Sequence, residues 1–132
     1  MVETPSTKPR LDKLGVKPGA RVVLLGIADK TFAPELKKRT RDISTQPKKD
    51  SDLIFLAAAD KAGLEPLKSL QKFLKPNGVL WVVWPKGQPQ LKENDIIVAA
   101  KAVGLIDNKV VSFSETHSAL RLVIPLARRP QR

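Results

Sequence analysis

His117 is the only histidine of the chain, and Glu115 precedes it by two residues in Glu115-Thr116-His117-Ser118-Ala119. An imidazole oriented by a carboxylate can serve as a general base. It needs a nucleophile to act on, and no serine lies in a recognisable nucleophile motif. The residues therefore put an ordinary hairpin hydrogen bond for His117 ahead of a catalytic role. Trp84 and Lys86 set an aromatic wall beside a cation, a pair suited to an anionic or planar ligand. The alternative places Trp84 in the core and Lys86 in solvent. Arg121 interrupts the apolar run Leu120, Leu122, Val123, Ile124. Facing inward it would need a partner, and Glu115 or Asp60 could supply one. Facing outward it needs none, and alternation along a strand favours the outward case. With no cysteine, one histidine and no clustered carboxylates, a zinc ligand set is missing, and no metal is expected.

The elements that must position these residues follow from the apolar pattern. Arg21-Val22-Val23-Leu24-Leu25, closed by Gly26, is a run typical of a strand covered on both faces. Phe32 to Arg39 predicts a short helix with Pro34 tolerated in its first turn. Its end, Lys37-Lys38-Arg39, and then Arg41 form a basic cluster. That placement suits the negative end of a helix dipole and also offers nucleic-acid contacts. Asp52 to Ala57 reads as the second strand, leading to Ala58-Ala59-Asp60. Leu67, Leu70 and Leu74 repeat at helical spacing, and Pro76-Asn77-Gly78 is expected to turn the chain into a third strand, Val79 to Trp84, ended by Pro85. A helix is expected from about Glu93 to Val103, with Gly104 after it. Lys109 to Ser114 and Leu120 to Leu126 read as strands of a terminal hairpin.

Strand, helix, strand, helix, strand, helix, then hairpin is the pattern of an α/β fold with a mainly parallel sheet, here of about five strands. In such a sheet ligands bind outside the carboxyl ends of the strands. The candidate ligand-binding residues are therefore Gly26, Asp60, Trp84, Lys86, Glu115 and His117. Residues 1–13 read as a flexible leader, 14–127 as one domain and 128–132 as a basic tail.

Composition narrows the function classes. The 132 residues are 42% hydrophobic and 28% charged, as in ordinary globular domains, which excludes a mostly disordered chain. The absence of cysteine removes disulfides and cysteine nucleophiles and fits an intracellular location. No apolar run approaches a membrane span and the N-terminus has no signal-peptide pattern, so the expectation is a cytoplasmic protein with no membrane partner. The formal charge is +11, from 24 Lys and Arg against 13 Asp and Glu. This favours an acidic partner, with weak, salt-sensitive nucleic-acid binding through Lys37, Lys38, Arg39 and Arg41 as its simplest form. Aromatic residues make up only 5%, and no stacking motif supports base-specific readout.

Gly19-Ala20-Arg21-Val22-Val23-Leu24-Leu25-Gly26, Asp52-Leu53-Ile54-Phe55-Leu56 and Leu74-Lys75-Pro76-Asn77-Gly78-Val79-Leu80 are similar to successive core segments of the class I S-adenosylmethionine-dependent methyltransferases. Lys17-Pro18-Gly19, Trp81 to Lys86 and Glu115 to Arg121 resemble a family of short bacterial proteins of unassigned role, itself similar to a truncated methyltransferase. The resemblance implies a single Rossmann-like domain and S-adenosylmethionine as the cofactor. A glycine-rich turn would follow the first strand, and an acid after an additional strand would hold the ribose hydroxyls. Gly26 matches the first glycine, whereas Leu24 stands at the place of the strand's usual acid and Ala28 and Lys30 at those of later glycines. The chain between Gly26 and Asp52 looks too short for the additional strand. The resulting expectation is a non-catalytic ligand- or partner-binding module with a degenerate cofactor site. A minimal methyltransferase and an electrostatic nucleic-acid-binding protein are the alternatives.

Overall fold

The computed structural model describes residues 8–128. Six strands form one sheet in the order β2-β1-β3-β4-β6-β5. They are β1 (Val22–Leu25), β2 (Ile43–Ser44), β3 (Ser51–Ala57), β4 (Leu74–Pro85), β5 (Ile106–Ser112) and β6 (His117–Val123). β2, β1, β3 and β4 pair in parallel, and β6 pairs antiparallel with both β4 and β5. The α/β class, the mainly parallel sheet and the terminal antiparallel hairpin are as expected. The strand count is six rather than five. The added strand is β2, a two-residue element fitted between Gly26 and Asp52 where the chain looked too short for one. Ile43 and Ser44 pair with Val22 and Val23, and so few residues leave no periodic signal.

Both faces of the sheet are covered, as the unbroken apolar runs of β1 and β3 require. On one face Val23, Ile54, Leu80, Val82 and Leu120 pack against Leu67 and Leu70 of α3 (Leu67–Leu70) and Ile96 and Ala100 of α4 (Glu93–Ala102). On the other, Val22, Phe55, Val79, Trp81 and Val83 pack against α1 (Arg10–Lys13) and against Phe32 and Leu36 of α2 (Phe32–Lys37). Trp81 is fully buried, and its indole N–H donates to the Leu14 carbonyl at 3.0 Å, fastening the segment after α1 to the sheet. No described helix is long and apolar enough to cross a membrane.

Two expected local structures change. Pro76-Asn77-Gly78 does not turn the chain but lies within β4. Ser51 pairs with Leu74 and Leu53 with Val79, so the intervening residues of β4 form a bulge. A Cβ on Gly78 would fall 2.9 Å from the Ser51 carbonyl oxygen, so the glycine is required by close approach to β3. The boundaries of the domain also move outward. The expected leader contributes α1, with Leu11 buried among the core residues, while Met1 to Thr7 lie outside the described residues. At the other end Arg128 folds back on the Gly104 carbonyl, and the rest of the basic tail lies outside the described residues.

Candidate functional site

At the carboxyl ends of β1, β3 and β4 lies a cavity of about 630 Å³. Ala57, Val83 and Phe113 give it apolar walls, the loop Gly26 to Thr31 closes one side, and the hairpin turn Ser114 to His117 closes the other. Gly26 ends β1 with φ +75°, a left-handed conformation that favours glycine. Ala28 and Lys30 have no such geometry, so the loop turns on a single glycine.

Arg10 holds this loop in place. Its Nη1 donates to Asp29 Oδ2 at 2.8 Å and to the Phe113 carbonyl at 3.1 Å, and its Nη2 donates to Glu35 Oε2 at 2.7 Å and to Thr31 Oγ1 at 3.0 Å. The guanidinium carbon also lies 4.9 Å from the ring centroids of both Phe32 and Phe113, within cation–π range. Those rings meet edge-on at 4.8 Å, and Phe55 joins Phe32 at 5.0 Å. Burial works against the Arg10 charge, but the hydrogen bonds to Glu35 and Asp29 outweigh it, and the guanidinium is held above its usual value. Asp29 accepts from the hydroxyl and the backbone N–H of Thr31 as well as from Arg10, and these bonds lower its pKa to about 2. The site thus contains a fixed ion pair at neutral pH.

The hairpin turn is stitched by its own side chains. His117 Nδ1 lies 2.8 Å from Thr116 Oγ1, and Ser114 Oγ accepts from the backbone N–H groups of Thr116 and His117. The neighbour of the histidine ring is thus the Thr116 hydroxyl, and the less favoured alternative, an imidazole oriented by the Glu115 carboxylate, does not form. Glu115 is exposed, consistent with its place at the tip of the turn. Nor does Ser114 reach the ring, so the turn holds no serine–histidine dyad.

Of the six residues picked from the sequence, Gly26, Glu115 and His117 line this cavity. Asp60 lies at the carboxyl end of β3 but outside it, where its side chain accepts from the Gly63 N–H and caps a 3-10 turn, Lys61–Leu64. Trp84 and Lys86 line a separate cleft on the opposite side of the sheet, with Leu91 and Glu93. The Trp84 side chain is buried in the α3/α4 core, and Lys86 Nζ donates to Ser112 Oγ at 2.7 Å. In the basic cluster Lys37, Lys38 and Arg41 are exposed, but Arg39 is engaged by Asp12 Oδ1 at 2.7 Å and the Val16 carbonyl at 3.0 Å. The residue that sequence reasoning missed is Arg10. Its signal was Pro9 followed by Leu11 and Leu14, a helix start with two apolar residues on one side.

Leu24, at the place of the strand's acid, is buried in the α1/α2 core. β2 ends at Ser44, followed by Thr45 and Gln46, so no carboxylate stands at the end of the strand beside β1. The Ser44 hydroxyl is spent on Gln46, donating to its carbonyl at 2.8 Å.

No protein-family model matches the chain, and no curated protein does. Solved structures do. One is a SAM-dependent methyltransferase from Aquifex aeolicus, with 17% identity, 87% of each chain covered and a TM-score of 0.67. A putative methyltransferase from Thermoplasma acidophilum has 12% identity over 96% of this chain and 77% of that one, with a TM-score of 0.60. Magnesium protoporphyrin IX methyltransferase from Synechocystis PCC 6803, solved with bound SAH, has 10% identity over 87% of this chain and 78% of that one, at 0.64. The chain has the Rossmann-like fold of the class I SAM-dependent methyltransferases, in truncated form. At these identities the likeness defines architecture, and chemistry must come from the residues.

Proposed function

We propose that the chain is a non-catalytic, methyltransferase-like module that binds a small ligand in the cavity at the carboxyl ends of β1, β3 and β4. The observation that carries this reading is the Arg10 clamp. In a cofactor site of this architecture the turn after the first strand leaves its backbone open to the ligand. Here that turn has one glycine and is tied through Asp29 and Thr31 to a guanidinium that also grips Glu35 and the Phe113 carbonyl. The place of the ribose-binding acid is taken by Ser44 and Thr45. These residues do not fit S-adenosylmethionine, and the hairpin supplies no general base with a nucleophile beside it. Apolar walls with a polar rim suit a small, largely apolar ligand with one polar edge.

The test is thermal unfolding with and without S-adenosylmethionine and S-adenosylhomocysteine. A ligand that binds only the folded state raises the midpoint. The expected result is an unchanged midpoint with both at millimolar concentration. Fragments with an apolar ring and a polar edge should raise it in the natural sequence and not when Val83→Trp fills the cavity. A saturable rise with S-adenosylhomocysteine at sub-millimolar concentration would replace this reading with a minimal methyltransferase.

A further inference from the structure

Arg121 sits on a covered face of the sheet. In β6 it alternates with Ala119 and Val123, both in the core under α1 and α2, and it pairs across β4 with the fully buried Trp81. The outward placement favoured by strand alternation does not apply, because both faces of β6 are covered. Neither partner suggested by the sequence is available: Glu115 and Asp60 lie at the carboxyl ends of the parallel strands, whereas Arg121 lines a second cavity at their amino ends. Its Nε is shut off from solvent and has no hydrogen-bond partner. A buried donor on a charged group is costly when left unpaired, and such groups are rarely retained without a role.

This second cavity has a volume of about 380 Å³ and is bounded by the loop from Gly15 to Ala20 and by Asp52, Asn77 and Arg121. Lys17 stands exposed at the rim and makes no ion pair among the described residues. The one acid in the wall is already neutralised. Asp52 Oδ2 accepts from the Arg21 backbone N–H at 2.8 Å, and its Oδ1 lies 3.0 Å from Lys75 Nζ. The cavity therefore offers a planar guanidinium, an ammonium and the Asn77 amide, with no free carboxylate to oppose an anion.

We propose that this cavity binds the oxyanion end of a small ligand, a carboxylate or a phosphate, with Arg121 and Lys17 as its charged donors. The two terminal guanidinium nitrogens match either group in a bidentate geometry, and partial burial strengthens the contact relative to one made in open water. The site is independent of the cavity at the carboxyl ends and stands whether or not that cavity binds anything.

The two tryptophans make a built-in comparison, because Trp81 shares a face of the sheet with Arg121 while Trp84 packs on the opposite one. The experiment is an NMR titration of the full chain with inorganic phosphate and, separately, with succinate, following both indole N–H signals at constant ionic strength. The Trp81 signal is expected to move saturably while that of Trp84 stays. Arg121→Gln should weaken the response about tenfold or more. Lys17→Ala, at an exposed position that leaves the core intact, should weaken it severalfold and carries the test should Arg121→Gln fail to fold. A response to only one of the probes assigns the oxyanion as phosphate or carboxylate. A Trp81 signal indifferent to both, or a shift equal in the natural sequence and in Lys17→Ala, would overturn the proposal.

Discussion

Asp29 gathers three hydrogen bonds, two from Thr31 in its own loop and one, an ion pair, from Arg10 of α1, and its acid–base behaviour is the most direct readout of the clamp. The hydrogen bonds from Thr31 and Arg10 hold its carboxyl at a pKa of about 2, below the ordinary aspartate range. A depressed carboxylate contributes stability that is complete above the unfolded pKa and is lost as pH falls through the folded one. The natural sequence should therefore lose about 2 kcal/mol from this group between pH 4 and 2. Asp29→Asn should be less stable at neutral pH and show a flatter acid limb in urea unfolding. Arg10→Ala leaves the Thr31 bonds to Asp29 in place. It should cost about 2 to 3 kcal/mol at neutral pH while keeping part of the acid slope. An acid limb identical in the natural sequence and Asp29→Asn would remove Asp29 from the account.

At the scale of elements, the bulge in β4 decides how β3 and β4 meet. Ser51, Leu74 and Gly78 come together where the two strands enter the sheet, and Ser51 is buried with its hydroxyl donating to the Lys48 carbonyl. Gly78→Ala would place a methyl group 2.9 Å from the Ser51 carbonyl oxygen and 3.0 Å from that of Lys75. Both are backbone atoms that cannot swing aside, so a loss of about 1 to 3 kcal/mol is expected in chemical denaturation. A neutral Gly78→Ala would mean that the bulge relaxes. The same geometry explains why Pro-Asn-Gly misleads. Its composition is that of a turn, but the strand that follows is long enough to extend back through it and pair again at Leu74.

For the whole molecule the charge of +11 is the property that contacts depend on at long range. Lys37 at the end of α2, and Lys38 and Arg41 beyond it, lie exposed, whereas Arg39 is withdrawn into a pair with Asp12. Any binding to a single-stranded oligonucleotide should be weak, indifferent to sequence and steeply reduced by salt. Replacing Lys37, Lys38 and Arg41 together by alanine should flatten the dependence of log K on log salt by about 2, as loss of three backbone contacts predicts. Fluorescence anisotropy across a salt series measures this. A slope unchanged by the triple substitution would locate any such binding elsewhere on the surface.

The sequence by itself determined the layered α/β architecture. Continuous apolar runs such as Val22 to Leu25 and Leu53 to Leu56 need cover on both faces, and the stripe of Ile96, Ala100 and Val103 specifies a helix to provide it. It also brought Gly26, Glu115 and His117 to one end of the sheet, since strand direction alone fixes which loops share an end. Only the tertiary structure decided what those loops touch. Arg10 enters the site from a segment with almost no periodicity, because its polar contacts join it to Asp29, Thr31, Glu35 and, 103 positions away, the Phe113 carbonyl. Trp84 went to the opposite face for the complementary reason: one pleat separates it from Val83, and a strand's end is shared by two faces whose cavities differ. The placement of Arg121 likewise rests on cover supplied by α1, which folds onto the sheet only because Trp81 and the buried Leu11 and Leu14 hold it there.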